Sequence, residues 1–284
     1  MTNDKNIHIP DGESYSIYAP EEGRTPAPWV QFYDEGVSAS ISPMHVPLYY
    51  WLDRSAQKFP NSPAIIFKNY RINYRQLLEG AEIIAANLRA HGIQKGDRVV
   101  LMMPNLPQTI LAFWGVIKAG AVAVMTNPLY MSHELLHQLN DCEAKAMITV
   151  DFLWPKIKEL RNDLGINKYF LTSMNEFMRL SGDPLCRFKV RRPRPLTGSA
   201  SEDRRDVMPF ARLLNGRKRL SVPIKNPNDD LALLQYTGGT TGIPKGAMLT
   251  HSNMVANQQQ ILEVLKAIVD KPNNRFLAVL PFFH

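Results

Sequence analysis

Cysteine is nearly absent: only Cys142 and Cys186 occur, far apart in the chain. Two distant thiols make no disulfide framework, so they read as free thiols of a reducing compartment and predict a cytoplasmic protein. Long apolar runs are missing too. The best, residues 110–125, is interrupted by Lys118 and falls short of a membrane span. The opening Met1-Thr-Asn-Asp-Lys-Asn6 is polar and lacks the apolar stretch of a secretory signal. Zinc-finger cysteines and the aromatic spelling of an RNA-recognition strand are absent, so the net charge of +7 comes without a nucleic-acid reading module and no nucleic-acid partner is expected. No internal repeat is found. What remains is 45% hydrophobic, an ordinary globular composition, with enough chain for one large domain or two smaller ones.

The charge is uneven. Arg187 to Arg219 holds eleven basic and three acidic residues, a local +8 that leaves the rest of the chain near neutral. Two readings stay open. One is a solvated surface loop. The other is contact with an anionic membrane through 187–219, worth about 1 kcal/mol per basic group near the lipid. On that second reading Phe210-Ala-Arg-Leu-Leu214 would lay an apolar edge on the interface, and the protein would be peripheral at the inner membrane surface.

Periodicity places the elements. Residues 1–45, rich in Pro, Gly and Ser, read as an extended arm. Leu48, Trp51, Leu52, Ala56 and Phe59 recur at helical spacing until Pro60. Ala64–Phe67 and Tyr70–Ile72 suggest a hairpin, and Asn73 with Gln76 a capping box opening a helix that stops near Gly92. Strand and helix then alternate: strands at 98–103, 121–125, 146–150 and 169–171, helices at 107–118, 132–141 and 152–163. Residues 181–228 look like an inserted loop. A strand from Leu231, a helix over 253–269 and a strand over 276–280 follow. The expected boundaries are an arm (1–45), a first αβ subdomain (46–180), a basic loop or insertion (181–230) and a final segment (231–284). The alternation predicts an α/β fold, a mostly parallel sheet covered by helices on both faces, with ligands beyond the carboxyl ends of its strands.

The most informative stretch is Tyr236-Thr-Gly-Gly-Thr-Thr-Gly-Ile-Pro-Lys-Gly246, which sets four glycines, three threonines and a lysine between apolar segments. Glycines let backbone N–H groups approach an anion; hydroxyls add neutral donors and lysine a mobile charge. Such a loop suits a polyphosphate. It is not a Walker A loop, because Pro244 separates Gly242 from Lys245, Gly246 follows the lysine, and a strand-like segment comes next.

Continued by Ala247-Met-Leu-Thr-His-Ser-Asn253, this stretch resembles the phosphate loop of the adenylate-forming (acyl-CoA synthetase, AMP-binding) superfamily, in the spelling of bacterial long-chain fatty-acid–CoA ligases. Pro28-Trp-Val30, Tyr33-Asp-Glu-Gly36, Lys95-Gly-Asp-Arg-Val99, Met103-Pro-Asn-Leu-Pro-Gln108, Lys118-Ala-Gly120, Asn127-Pro-Leu-Tyr130, Glu134-Leu135 and Pro281-Phe-Phe-His284 resemble further family segments, in order. The resemblance implies the large N-terminal domain of an acyl-CoA synthetase, incomplete, because the family's later motifs and small C-terminal domain do not follow His284. A fragment of that kind is expected to be inactive alone. The implied substrates are a fatty acid, ATP and coenzyme A, with Mg²⁺ as cofactor: the acid forms an acyl-adenylate, and the thiol then displaces AMP. By position, Gly238, Gly239, Thr240, Thr241 and Gly242 fall to the β- and γ-phosphates, Lys245 is a catalytic clamp, Thr237 a Mg²⁺ contact, and His284 borders the acyl carboxylate.

Other readings compete. An aryl-CoA, luciferase-like or acyl-AMP ligase would share the same loop, and a non-catalytic nucleotide- or lipid-binding fragment would share it without turnover. His133-Glu-Leu-Leu-His137 spells H-E-x-x-H, which on a helix sets two imidazoles on one face for zinc, with Glu134 as base. The metzincin continuation is absent, and an ordinary helix carrying Glu-Leu also accounts for it. Tyr236 is expected to pack rather than react, and His251 to cap the next helix.

Overall fold

The computed structural model describes residues 28–176, 206–237, 244–266 and 274–283. A short hairpin, β1 (Pro63–Phe67) and β2 (Tyr70–Asn73), stands apart from a seven-stranded sheet. The sheet comprises β3 (Arg98–Met102), β4 (Val122–Met125), β5 (Ala146–Val150), β6 (Lys168–Thr172), β7 (Val207–Pro209), β8 (Leu231–Thr237) and β9 (Lys245–Thr250). Its order is β7-β6-β5-β3-β4-β8-β9, parallel throughout except for β9, which runs antiparallel to β8 at the edge.

The inner strands of the sheet are buried on both faces, which is why they are runs of apolar residues rather than alternating ones. Along β3, Val99 and Leu101 face one core, Val100 and Met102 the other. The first core takes the apolar sides of α2 (Tyr74–Ala90) and α3 (Pro107–Lys118), with Val255 of α6 (His251–Val264). The second takes Leu135 and Leu139 of α4 (Ser132–Asp141) and Trp154 and Ile157 of α5 (Trp154–Leu160). α1 (Tyr50–Lys58) adds Leu52 to the first core. The mostly parallel sheet with helices on both faces is thus as expected.

Local chemistry sets the helix ends. The Asn73 side chain accepts from the Gln76 N–H at 2.8 Å and the Gln76 side chain accepts from the Asn73 N–H at 2.9 Å, the reciprocal cap read from the sequence. Pro107 opens α3, where its missing N–H costs nothing. Lys118 at the far end is 1% exposed, ion-paired to Asp53 of α1 and 3.8 Å from Glu82 of α2, so one buried charge ties three helices together. Lead-in residues of the expected arm lie along α6, running opposite to it. Ser38 N–H donates to Glu263 at 3.0 Å, Met44 N–H to Gln259 at 2.8 Å and Leu48 N–H to His251 Nδ1 at 3.1 Å. The arm's residues 1–27 lie outside the described residues, as do 267–269 of the helix expected over 253–269; α6 itself ends at Val264.

Four local expectations are corrected. The 152–163 helix is a short α5 flanked by 3₁₀ turns at Asp151–Leu153 and Arg161–Asp163. The stretch read as an inserted loop contains β7, which pairs with β6 through Tyr169↔Val207 and Phe170↔Met208. Phe210, Leu213 and Leu214 are buried in the first core, so this segment offers no apolar edge to a membrane. Arg187 to Arg205, most of the basic run, lie outside the described residues. The apolar run 276–280 forms no strand: the Asn105 amide donates to the carbonyls of Ala278 (3.1 Å) and Leu280 (2.8 Å), taking up groups a ladder would have paired. No helix among the described residues is long and apolar enough to cross a membrane.

Candidate functional site

Helices and strands converge on the carboxyl edge of the sheet, where β3, β4 and β8 end side by side. Chain order reverses here: β3 leads to β4 on one side, and the chain then crosses back to β5 on the other side of β3. Crevices form at such switch points. β8 and β9 extend the edge as an antiparallel pair with Gln235↔Ala247, Tyr236↔Gly246 and Thr237↔Lys245 in register.

Two of the sequence-predicted site residues therefore face each other. Thr237, the last residue of β8, and Lys245, the first of β9, are an exposed registered pair at the mouth of the connection. Gly238, Gly239, Thr240, Thr241, Gly242 and His284 lie outside the described residues. A Mg²⁺ ion keeps waters and phosphate oxygens and takes one or two protein ligands. The Thr237 hydroxyl fits as one such donor. No group of three His, Cys, Asp or Glu among the described residues could hold an ion unaided.

The base of this hairpin is firmly held. Tyr236 is buried, and its hydroxyl donates to Asp141 of α4. Burial first, and then the Asp141 carboxylate, push the phenol up, so it stays protonated and packs, as expected from sequence. The ring lies across Gly246: a Cβ there would stand 2.9 Å from Tyr236 Cζ and 3.0 Å from Cε2, so glycine is needed for the close approach.

Two of the H-E-x-x-H residues do unrelated jobs. Glu134 accepts from the Met131 N–H at 2.7 Å and closes its own helix's first turn. His137 donates from Nε2 to the Pro244 carbonyl at 3.3 Å, and His133 is exposed. His251 is also not the cap: Thr250 caps α6 through Asn253, while His251, fully buried, accepts from Leu48. The Cys142 thiol is buried and pushed up to about 11 by desolvation, which makes it inert as a nucleophile.

Sequence reasoning missed the residues that bring the last segment to this edge. Asn105 donates to the carbonyls of Ala278 and Leu280 and accepts from Phe282 N–H at 2.9 Å. Gln235 of β8 donates to the Phe283 carbonyl at 2.7 Å. The residue preceding His284 is thus tied to the strand that carries Thr237. Asn105 lies within the Met103–Gln108 segment and Gln235 abuts the glycine-rich stretch, so both stood in marked segments without a role.

Comparison with known proteins agrees with this architecture. The AMP-binding enzyme family matches residues 52–284. The long-chain-fatty-acid–CoA ligase of Bacillus subtilis (strain 168) is 34% identical over 264 residues, covering 90% of this chain and 46% of that protein. The enzyme of the same name from Escherichia coli O157:H7 is 34% identical over 259 residues, with the same coverage. A crystal structure of a protein described as a long-chain-fatty-acid CoA ligase from Rhodopseudomonas palustris CGA009 superimposes with a TM-score of 0.67 at 21% identity, over 84% of this chain and 52% of that one. The chain spans about half the length of the curated relatives it matches.

Proposed function

The chain belongs to the AMP-binding enzyme family, and from that membership we propose that it serves the ATP-dependent activation of a long-chain fatty acid, to acyl-adenylate and then acyl-CoA, as the part that grips the triphosphate. The observation that supports this most is the pairing of Thr237 with Lys245 at the carboxyl edge, on either side of a connection built from glycine and threonine. An anionic acid can approach a triphosphate only when the phosphate charge is balanced. In this reading Gly238, Gly239, Thr240, Thr241 and Gly242 receive the β- and γ-phosphates. Lys245 clamps the departing pyrophosphate, and His284 borders the acyl carboxylate. Thr237 would hold Mg²⁺, which when bound supplies charge neutralisation of the phosphates. Coenzyme A is the acyl acceptor. The name carried by the relatives at 34% identity supports the long-chain acid. Membrane contact, if made from the cytoplasmic side, would rest on the charge of 187–219 alone.

Calorimetry with MgATP tests the grip. The chain is expected to bind MgATP, and Lys245→Ala to weaken it about ten- to hundredfold, the loss expected for a hydrogen bond to a charged group. Absence of binding, or a variant that binds equally well, overturns the reading. ATP–pyrophosphate exchange is expected to be absent for this chain alone. When it is joined to a downstream half of the family, exchange should depend on a long-chain acid; exchange without acid would refute the substrate.

A further inference from the structure

α4 touches both legs of the β8–β9 hairpin within one residue of the Thr237–Lys245 pair. On the Lys245 side, His137 Nε2 lies 3.3 Å from the Pro244 carbonyl, which can only accept, so the imidazole donates. On the Thr237 side, Asp141 accepts from the Tyr236 hydroxyl. The two helix residues are four apart and so share one face of α4, a turn from each other. Tyr236 links the legs in turn, since its ring covers Gly246.

Resting on the phosphate-binding reading above, we propose that His137 and Asp141 are positioning residues, and that α4 is the strut that fixes the spacing and pitch of Thr237 against Lys245. The strut is rigid at its root. Leu135 and Leu139 are buried beneath the sheet, Glu134 closes the first turn, and Gln138 Nε2 donates to the Met125 carbonyl at 3.4 Å. Anchoring Thr237 and Lys245 in advance spares binding the cost of fixing their spacing.

His137 also acts on charge. The Pro244 carbonyl oxygen precedes the lysine meant for an anion, and a free carbonyl pointing at phosphate would repel it. Bonded to His137, it is turned to α4. Because the peptide is planar and trans, this fixes the direction of the Lys245 N–H as well. The Asp141 carboxylate likewise accepts from the Tyr236 hydroxyl. The H-E-x-x-H spelling is thereby given a use that needs no metal: the glutamate closes the helix, and the second histidine holds the hairpin.

The test compares the wild-type chain with His137→Leu and His137→Gln, the latter keeping an N–H donor near the Nε2 position. Amide hydrogen exchange of residues 245–247 without ligand, and affinity for MgATP and for inorganic pyrophosphate, are measured together. In His137→Leu the exchange should rise and both affinities should fall, each about five- to tenfold, with the thermal midpoint near wild type. His137→Gln should restore both to within about twofold. Faster exchange with unchanged affinity overturns the positioning role, as does failure of glutamine to rescue where leucine loses affinity. A wild-type chain that binds neither ligand refutes the triphosphate reading itself, whereas a wild type that binds beside an unaffected His137→Leu refutes only the strut.

Discussion

Between pH 7 and pH 4 the fold is expected to lose roughly 3 kcal/mol through His251 alone. The side chain is fully buried at the first position of α6, and its Nδ1 accepts from the Leu48 N–H, so only the neutral ring serves that bond. Burial lowers its pKa to about 4; Asp230 pulls the other way, and Lys95, itself paired with Asp230 at 2.8 Å, opposes that pull. A proton would also place positive charge at a helix N-terminus, where the dipole disfavours it. The unfolded chain therefore binds this proton below about pH 6.5, and the folded one only near pH 4. The unfolded state holds more protons inside that window, so stability is full above it and declines as pH falls through it. The bond lost is among those that hold the lead-in segment on α6, beside the ones that Gln259 and Glu263 accept. His251→Asn sets an amide oxygen near the Nδ1 position without a titrating ring. Urea unfolding at pH 7, 5.5 and 4.5 should show the wild type losing at least about 2 kcal/mol more than this variant. Parallel pH slopes would show that the buried imidazole is not the cause. Buried carboxyls such as Glu176, whose pKa burial raises, are common to both proteins and cancel in the difference.

Much of this was legible in the chain because the signals were local. The Asn73 box, Pro107 at the start of α3 and the apolar runs of β3, β4 and β5 are set by residues within a few positions of one another. What stayed hidden is long-range. β7 is three residues long, and only its pairing with β6 makes it a strand, so no periodicity could mark it. Phe276–Leu280 has the composition of a strand, yet it sits against an asparagine amide from 173 residues earlier. The site divided in the same way. Thr237 and Lys245 stood out by composition, whereas Asn105, Gln235, His137 and Asp141 act through partners that only the fold brings near. His137 was conspicuous in sequence, but in a pattern whose familiar meaning is zinc. Spacing on one helix face says which side chains share a neighbour, not what that neighbour is.

Helix propensity and packing make opposite predictions at Gly115, and packing should win. Alanine is the better helix former by about 1 kcal/mol, so an exposed position would gain from Gly115→Ala. Here Gly115 of α3 packs directly against Ile84 of α2. A Cβ would stand 2.6 Å from Ile84 Cβ and closer still to its Cγ2. Ile84 is fully buried and stiff at χ1, so it cannot swing aside. The helices must separate, and the expected loss is about 3 kcal/mol, at the upper end for an added methyl. A double-mutant cycle isolates the cause. Ile84→Ala alone should cost about 2–5 kcal/mol as a cavity, but far less in the Gly115→Ala background, where the added methyl projects into the vacated space, giving a coupling of at least about 1 kcal/mol. Additive effects would mean that the contact between these two residues is not what fixes the crossing. The consequence reaches the site, because α3 begins just after Asn105 and ends at Lys118. Displacing it shifts the amide that gathers Ala278, Leu280 and Phe282 to the carboxyl edge, and it strains the pairing of the buried Lys118 with Asp53. Gly115→Ala should therefore loosen hydrogen exchange at residues 278–283, far along the chain from the substitution, before it unfolds the sheet.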